Sequence, residues 1–152
     1  MTIRVAFEDH AGADARALVA ELSTALEALT GATGQASFDP DDVRVARAGF
    51  ALARDARGRA LGCGALRPMA DDCAELKRMF ARPGTAGVGA ALLRFLEDQA
   101  AGWGYARLRL STRRVNQRAI AFYLRHGYRP IAGYGRYADG EASQCFEKRI
   151  TA

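Results

Sequence analysis

The chain has 152 residues, 49% hydrophobic and 26% charged, with a formal net charge of +5. That suits one globular domain over residues 1–152 and excludes a disordered, collagen-like or disulfide-stapled chain. Only Lys77 and Lys148 are lysines, so arginines carry the positive excess, which favours anionic ligands. Cys63, Cys73 and Cys145 show no C-x-x-C spacing and the chain has two histidines, so no zinc or other metal site is expected. Met1–His10 lacks the apolar core of a signal peptide, and no apolar run reaches membrane-spanning length. The expected setting is the reducing cytoplasm, with no membrane partner.

Ile3–Phe7 alternates and predicts a first strand. Leu18, Val19, Leu22, Leu26 and Leu29 then recur at helical spacing between Asp14 and Thr30, with Asp9 as an upstream cap and Gly31 as the stop. Residues 31–48 read as irregular, with room for one helical turn after Pro40. Gly49–Arg54 and Ala60–Leu66 flank the turn Asp55-Ala56-Arg57-Gly58, a hairpin, and Cys73–Ala81 continues the meander.

The glycine-rich stretch Arg82–Gly89 leads into a helix carrying Leu92, Phe95 and Leu96, which Gly102 stops. Arg107–Ser111 is a strand, Asn116–His126 a helix, and Tyr128–Ile131 and Gln144–Ile150 are closing strands around a Gly/Tyr-rich loop, 133–140. The order predicts an α/β fold with a mixed central sheet of six to seven strands flanked by helices. Strands should be antiparallel at hairpins and parallel where a helix crosses over.

A glycine loop at a strand-to-helix junction points several backbone N–H groups one way, and the helix dipole adds positive charge there, so phosphate can bind without a metal. The alternative is an ordinary tight turn. Walker A chemistry fails because Ala90 and Ala91 follow Gly89, and the dinucleotide fingerprint fails at Leu92.

Glu75-Leu76-Lys77-Arg78-Met79-Phe80, the glycine loop, and then Asn116-x-x-Ala119-x-x-x-Tyr123-x-x-x-Gly127-Tyr128 together resemble the GNAT superfamily of N-acetyltransferases. The resemblance is densest over residues 73–150. It implies the GNAT fold, acetyl-coenzyme A as co-substrate and transfer of acetyl to a primary amine by direct attack on the thioester. It places the pyrophosphate on Arg82, Gly84, Thr85, Ala86, Gly87, Val88, Gly89 and Ala90. The pantetheine arm is placed along Met79, Phe80 and Ala81, with Asn116 beside it and Tyr123 facing the sulfur. The family's Arg/Gln-x-x-Gly-x-Gly/Ala pattern has its Arg/Gln position on Gly84 here, and the loop is about two residues short.

Alternation sets Glu75, Lys77 and Met79 on one face, which should be wet because charges are costly to bury. Glu75 then reads either as a general base or as the partner of a nearby arginine. A carboxylate near pKa about 4.3 faces an amine near about 10.4, so direct transfer is steeply uphill. Tyr123 reads as a hydrogen-bond donor to the leaving thiolate or as a core tyrosine, and Asn116 as a pantetheine contact, a helix cap or both. His126 and the cysteines read as structural. Tyr134, Arg136 and Tyr137 are expected to line the acceptor pocket.

The acceptor is expected to be a small-molecule or peptide amine, and a homodimer is left open. Two other classes compete. One is a coenzyme A-binding sensor without turnover, favoured by the altered loop. The other is a nucleic-acid-binding domain using Arg113, Arg114, Arg118 and Arg125, the last three placing charge along one helix; no basic run or RNA-binding aromatic motif supports it.

Overall fold

The computed structural model describes residues 2–137 and 141–151, apart from the side chains of Ser37 and Arg136. Seven strands form one mixed sheet in the order β1-β2-β3-β4-β5-β7-β6. They are β1 (Arg4–Phe7), β2 (Gly49–Arg54), β3 (Ala60–Ala70), β4 (Cys73–Ala81), β5 (Arg107–Arg113), β6 (Arg129–Ile131) and β7 (Ser143–Arg149). The helices are α1 (Ala13–Thr30), α2 (Val88–Gly102) and α3 (Gln117–Arg125), with short 3-10 turns at Gln35–Ser37, Pro40–Val43 and Gly135–Tyr137. Only β4 and β5 pair in parallel, where α2 crosses over between them. The mixed α/β sheet expected from the sequence is the one observed.

Both faces of the sheet are covered. Ala15 and Leu18 of α1 pack on Phe50, Leu52, Cys63 and Ala65. On the opposite face, Leu92, Leu93 and Leu96 of α2 and Tyr123 of α3 pack on Ala51, Leu66, Leu76, Leu108, Leu110 and Phe146. Strands buried on both sides need apolar residues at consecutive positions, which is why Phe50 through Ala53 read as an unbroken run.

Four local expectations need correction. Asp9 does not cap α1: Gly12 is the N-cap, and Asp9 Oδ1 accepts the N–H of Ala11 at 2.9 Å, closing the preceding turn instead. The apolar stripe of α1 runs beyond its contact surface, leaving Leu29 49% exposed. β3 does not stop at Leu66, because Arg67 and Pro68 continue the ladder opposite Glu75 and Ala74 and the strand runs to Ala70, up to the acidic turn before Cys73. Arg114 precedes α3 and so does not extend a basic stripe along that helix.

No helix among the described residues is long and apolar enough to cross a membrane. All three cysteines are buried and free.

Candidate active site

The site begins as a defect in the sheet. β4 and β5 pair through only three positions, Cys73–Arg107, Ala74–Leu108 and Glu75–Arg109, and their ladder stops there. Arg78, at φ +53°, is the cause: the β3 register runs from Cys63–Phe80 to Ala65–Lys77, so Arg78 and Met79 together oppose Gly64. A bulge of this kind bends a strand and ends pairing. The far half of β4 is left with an unpaired backbone edge, where an extended ligand can add as a further strand.

The bulge also overturns the simple alternation. Met79 packs with the α2 cluster, whereas Glu75 and Lys77 face the loop side. Arg78 turns inward and is 8% exposed, its guanidinium donating to Ser23 Oγ at 2.6 Å and to the Thr33 carbonyl at 3.0 Å.

Beyond β4 the chain turns through Gly84 and Gly87, at φ +82° and +75°, conformations that L side chains rarely adopt. Thr85 closes the turn on the Arg82 carbonyl through its N–H and its hydroxyl. The first helical bond of α2 runs from the Ala91 N–H to the Gly87 carbonyl at 3.1 Å. The N–H groups of residues 86–90 therefore have no hydrogen-bond partner among the described residues. A Cβ on Gly89 would lie 3.2 Å from the Phe122 ring, so glycine lets α3 approach this end of α2.

Arg82 does not project into this cluster of donors. Its Nε donates to Glu21 Oε1 at 3.0 Å and its Nη1 to the Ala60 carbonyl at 2.7 Å. With glycine at position 84, the loop offers main-chain donors and helix-dipole charge in place of a guanidinium. The residues present fit a pyrophosphate held by backbone.

Asn116 caps α3, its Oδ1 accepting the Ala119 N–H at 3.2 Å. Tyr123 is 7% exposed and packs edge-on against Phe122 and Tyr128. Burial pushes its pKa above the usual tyrosine range, so it stays protonated, and among the described residues its hydroxyl has no hydrogen-bond partner.

On the loop-side face, a cavity of about 290 Å³ opens between β3, β4, the 36–42 segment and the 134–137 turn. Glu75 forms its floor and is 1% exposed, so this face is not wet at its base. Its Oε1 accepts from Arg67 Nε and its Oε2 from the Tyr134 hydroxyl, both at 2.7 Å. Lys77 Nζ lies 3.6 Å from the same carboxylate and donates to the Tyr137 hydroxyl at 3.1 Å.

Those partners repay the cost of burying Glu75, which would be several kcal/mol, roughly, for an unpaired ion. Burial and the neighbouring Glu75 charge push the Tyr134 hydroxyl well above its ordinary range, so it acts as a donor. Arg109 lies beneath the Tyr134 ring at 5.7 Å. Phe38, Met69, Asp39 and Asp42 complete the wall.

Tyr134 and Tyr137 therefore line the cavity together with Glu75, while Tyr123 and Asn116 lie on α3 and its cap. Arg136 falls on the same short turn as the two tyrosines, with its side chain outside the described residues. Arg67, Phe38, Asp39, Asp42 and Met69 were not anticipated. The one available signal was the acidic turn before Cys73: a β3 that runs right up to it sets the β3–β4 register and puts Arg67 opposite Glu75. No cluster of His, Cys, Asp and Glu among the described residues could hold a metal.

Residues 15–128 match the family model described as "Acetyltransferase (GNAT) family". An IAA acetyltransferase of Azospirillum brasilense is 33% identical over 104 residues, 66% of this chain and 67% of its own length. An uncharacterized N-acetyltransferase of Schizosaccharomyces pombe is 31% identical over 86 residues, 55% of this chain; the match spans about half of that protein, 53%. Among solved structures, one assigned as an acyl-CoA N-acyltransferase from Klebsiella pneumoniae superposes with TM-score 0.82 at 26% identity, covering 98% of each chain. A GNAT acetyltransferase of Elizabethkingia anophelis, crystallised with acetyl-CoA, shares the fold with TM-score 0.71 at 14% identity, over 97% of each chain.

Proposed function

The chain belongs to the GNAT family of acetyltransferases, and from that premise we propose that it transfers acetyl from acetyl-coenzyme A to a primary amine by direct attack on the thioester. The observation that carries this reading is the parting of β4 and β5 after three paired residues, beside the free N–H groups opening α2. An extended pantetheine-like arm fits the open β4 edge along Met79, Phe80 and Ala81. The pyrophosphate fits the free donors of residues 86–90. Bound acetyl-coenzyme A supplies the acetyl group as an activated thioester, and the chain's own residues do the rest.

Tyr123 is suited to donate its O–H to the sulfur as negative charge develops there, because it is protonated and no other acceptor competes for it. Asn116 holds the start of the helix that presents Tyr123. Glu75 is better suited to organising the acceptor pocket than to taking a proton, since both carboxylate oxygens already accept hydrogen bonds. Tyr134 and Tyr137 flank the route of the amine, which then reaches the thioester already neutral.

Calorimetry with acetyl-coenzyme A, followed by thiol release against a panel of amines, tests the reading. Micromolar binding and amine-dependent release are expected. Binding without release from any amine would favour a sensor, and no binding would overturn the proposal. A steep fall of nucleic-acid binding with salt would instead support the basic-domain reading; no arginine cluster in the site speaks for it.

A further inference from the structure

Resting on the transferase reading, we propose that the acceptor carries a second positive charge: a diamine or similarly dicationic amine, with one amine reacting and the other held at the cavity rim. The chain as a whole is basic, at +5, yet among the described side chains the charged ones lining the cavity are Asp39, Asp42 and Glu75 against Arg67 and Lys77, the side chain of Arg136 on the same turn lying outside them. Among the described side chains the sign of the lining thus runs against that of the molecule.

The distribution matters more than the balance. Both cations are engaged at the floor: Arg67 is bonded to Glu75 at 2.7 Å, and Lys77 sits 3.6 Å from the same carboxylate with Tyr137 on its other side. A substrate carboxylate would have to compete with Glu75 for both cations while lying against its charge. At the rim the carboxylates are far less engaged. Asp41 is taken by Arg44 at 3.2 Å and points away from the cavity lining. Asp39 accepts only a backbone N–H, from Asp41, among the described residues. Asp42 has a single cation, Arg67, at 3.8 Å. Phe38, Met69 and the two tyrosines wall the space between rim and floor, which suits a short alkyl chain and offers aromatic faces to an ammonium.

Deprotonation points the same way. At the cavity floor both oxygens of Glu75 are engaged, by Arg67 and by Tyr134. An acceptor amine must be neutral when it attacks the thioester. A dication reaches that state more readily than a monoamine, since its second charge lowers the first amine's pKa. The fixed ammonium of Lys77 favours the neutral form of an amine brought beside it, while the rim favours the charged form of the other end.

The test uses the full chain, acetyl-coenzyme A and three sets of small acceptors of three to six carbons: α,ω-diamines, the matching n-alkylamines and the matching ω-amino acids. The diamine should exceed the monoamine in kcat/KM by about tenfold, from two partly exposed ion pairs of roughly threefold to fivefold each, and the amino acid should be slowest. The Asp39→Asn and Asp42→Asn variants, alone and combined, should narrow the diamine-to-monoamine ratio stepwise toward unity. Acetyl-coenzyme A affinity, read by calorimetry, checks that each variant is folded. Asp39→Asn keeps the side-chain oxygen that accepts the Asp41 N–H, so it preserves the turn if the double variant does not fold. An amino acid used as well as the diamine, or a diamine preference that is undiminished in Asp39→Asn and in the double variant, overturns the proposal. Thiol release with none of the three sets, despite acetyl-coenzyme A binding, overturns this inference; the transferase reading falls with it only where the wider amine panel also gives no release.

Discussion

The two halves of the site are built from opposite materials. The end of β4 and the start of α2 present backbone: glycines at positive φ, N–H groups without a partner among the described residues, an unpaired strand edge and a helix dipole in place of charged side chains. The acceptor cavity presents side chains that contact one another across long stretches of sequence, Glu75 with Tyr134 and Lys77 with Tyr137. On the proposed reading, the backbone cradle would recognise what every acyl-coenzyme A has in common, and the side-chain network would select among acceptors. One region can therefore be damaged by removing an N–H, and the other by removing a carboxylate.

The sharpest break is expected on α3, outside both regions. Tyr123→Phe removes a hydroxyl that has no partner among the described residues, so stability should not fall. We expect kcat to drop by about ten- to a thousandfold with little change in KM, as for an interaction made only while charge develops on sulfur. Steady-state kinetics with a good acceptor checks this, and unchanged turnover would return Tyr123 to the core.

Ala90→Pro probes the backbone cradle alone. It lies in the first turn of α2, where proline is tolerated and the lost N–H makes no helical bond. Acetyl-coenzyme A affinity should fall about ten- to a hundredfold, the worth of one hydrogen bond to a charged group, while the acceptor KM stays put. Calorimetry reads the first effect and kinetics the second. An equal loss on both sides would mean that the halves are not separable.

Glu75→Gln probes the other half. The amide keeps the shape but sets a donor or a neutral oxygen against Arg67, Tyr134 and Lys77, so urea unfolding should show a loss of about 1–3 kcal/mol. The acceptor KM should rise while coenzyme affinity holds. If Glu75 only organises the pocket, the kinetic loss is the same at every pH. A loss that shrinks as pH rises would instead identify it as the group accepting the amine's proton.

What could be read from the sequence divides along the same line. β4 was legible to the residue, and the glycine loop nearly so, with α2 beginning at Val88 inside the stretch read as loop, because glycine positions and strand alternation are local signals. The bulge at Arg78 was not, because an arginine at φ +53° is held there by Ser23 and Thr33, which are remote in sequence. Missing it put Met79 on the wrong face. Glu75 was legible as a residue of interest, yet its burial depends on Arg67 and Tyr134, one from a strand extension that propensity does not mark and one from an irregular loop. Asp39 and Asp42 lay in a stretch without periodicity, where the sequence offers turn chemistry but no direction for a side chain.

The smallest expected effect separates the cavity's neighbourhood from its chemistry. His10 packs on Phe38, a wall of the cavity, and on Phe50 of β2, at ring separations of 5.5 and 5.1 Å. Burial, reinforced by Arg44, lowers its pKa from the ordinary 6.5. A histidine depressed in the folded chain is protonated more readily when unfolded, so acidification favours the unfolded state. The stability it contributes is present above the unfolded pKa of 6.5 and is lost as pH falls from there toward the lowered folded value. Glu21, Asp55 and Glu147 are held below the usual carboxylate range, so their losses come at lower pH and leave this window to histidine. Urea midpoints measured from pH 7 down to about 5 should decline in the wild type, and the decline should flatten in His10→Gln. Because His10 touches the wall and not the floor, the acceptor preference of His10→Gln at pH 8 should match the wild type within about twofold, the spread expected of a change outside the contacts. A flat wild-type profile would mean that His10 opens to solvent and that the Phe38 wall is looser than the packing indicates.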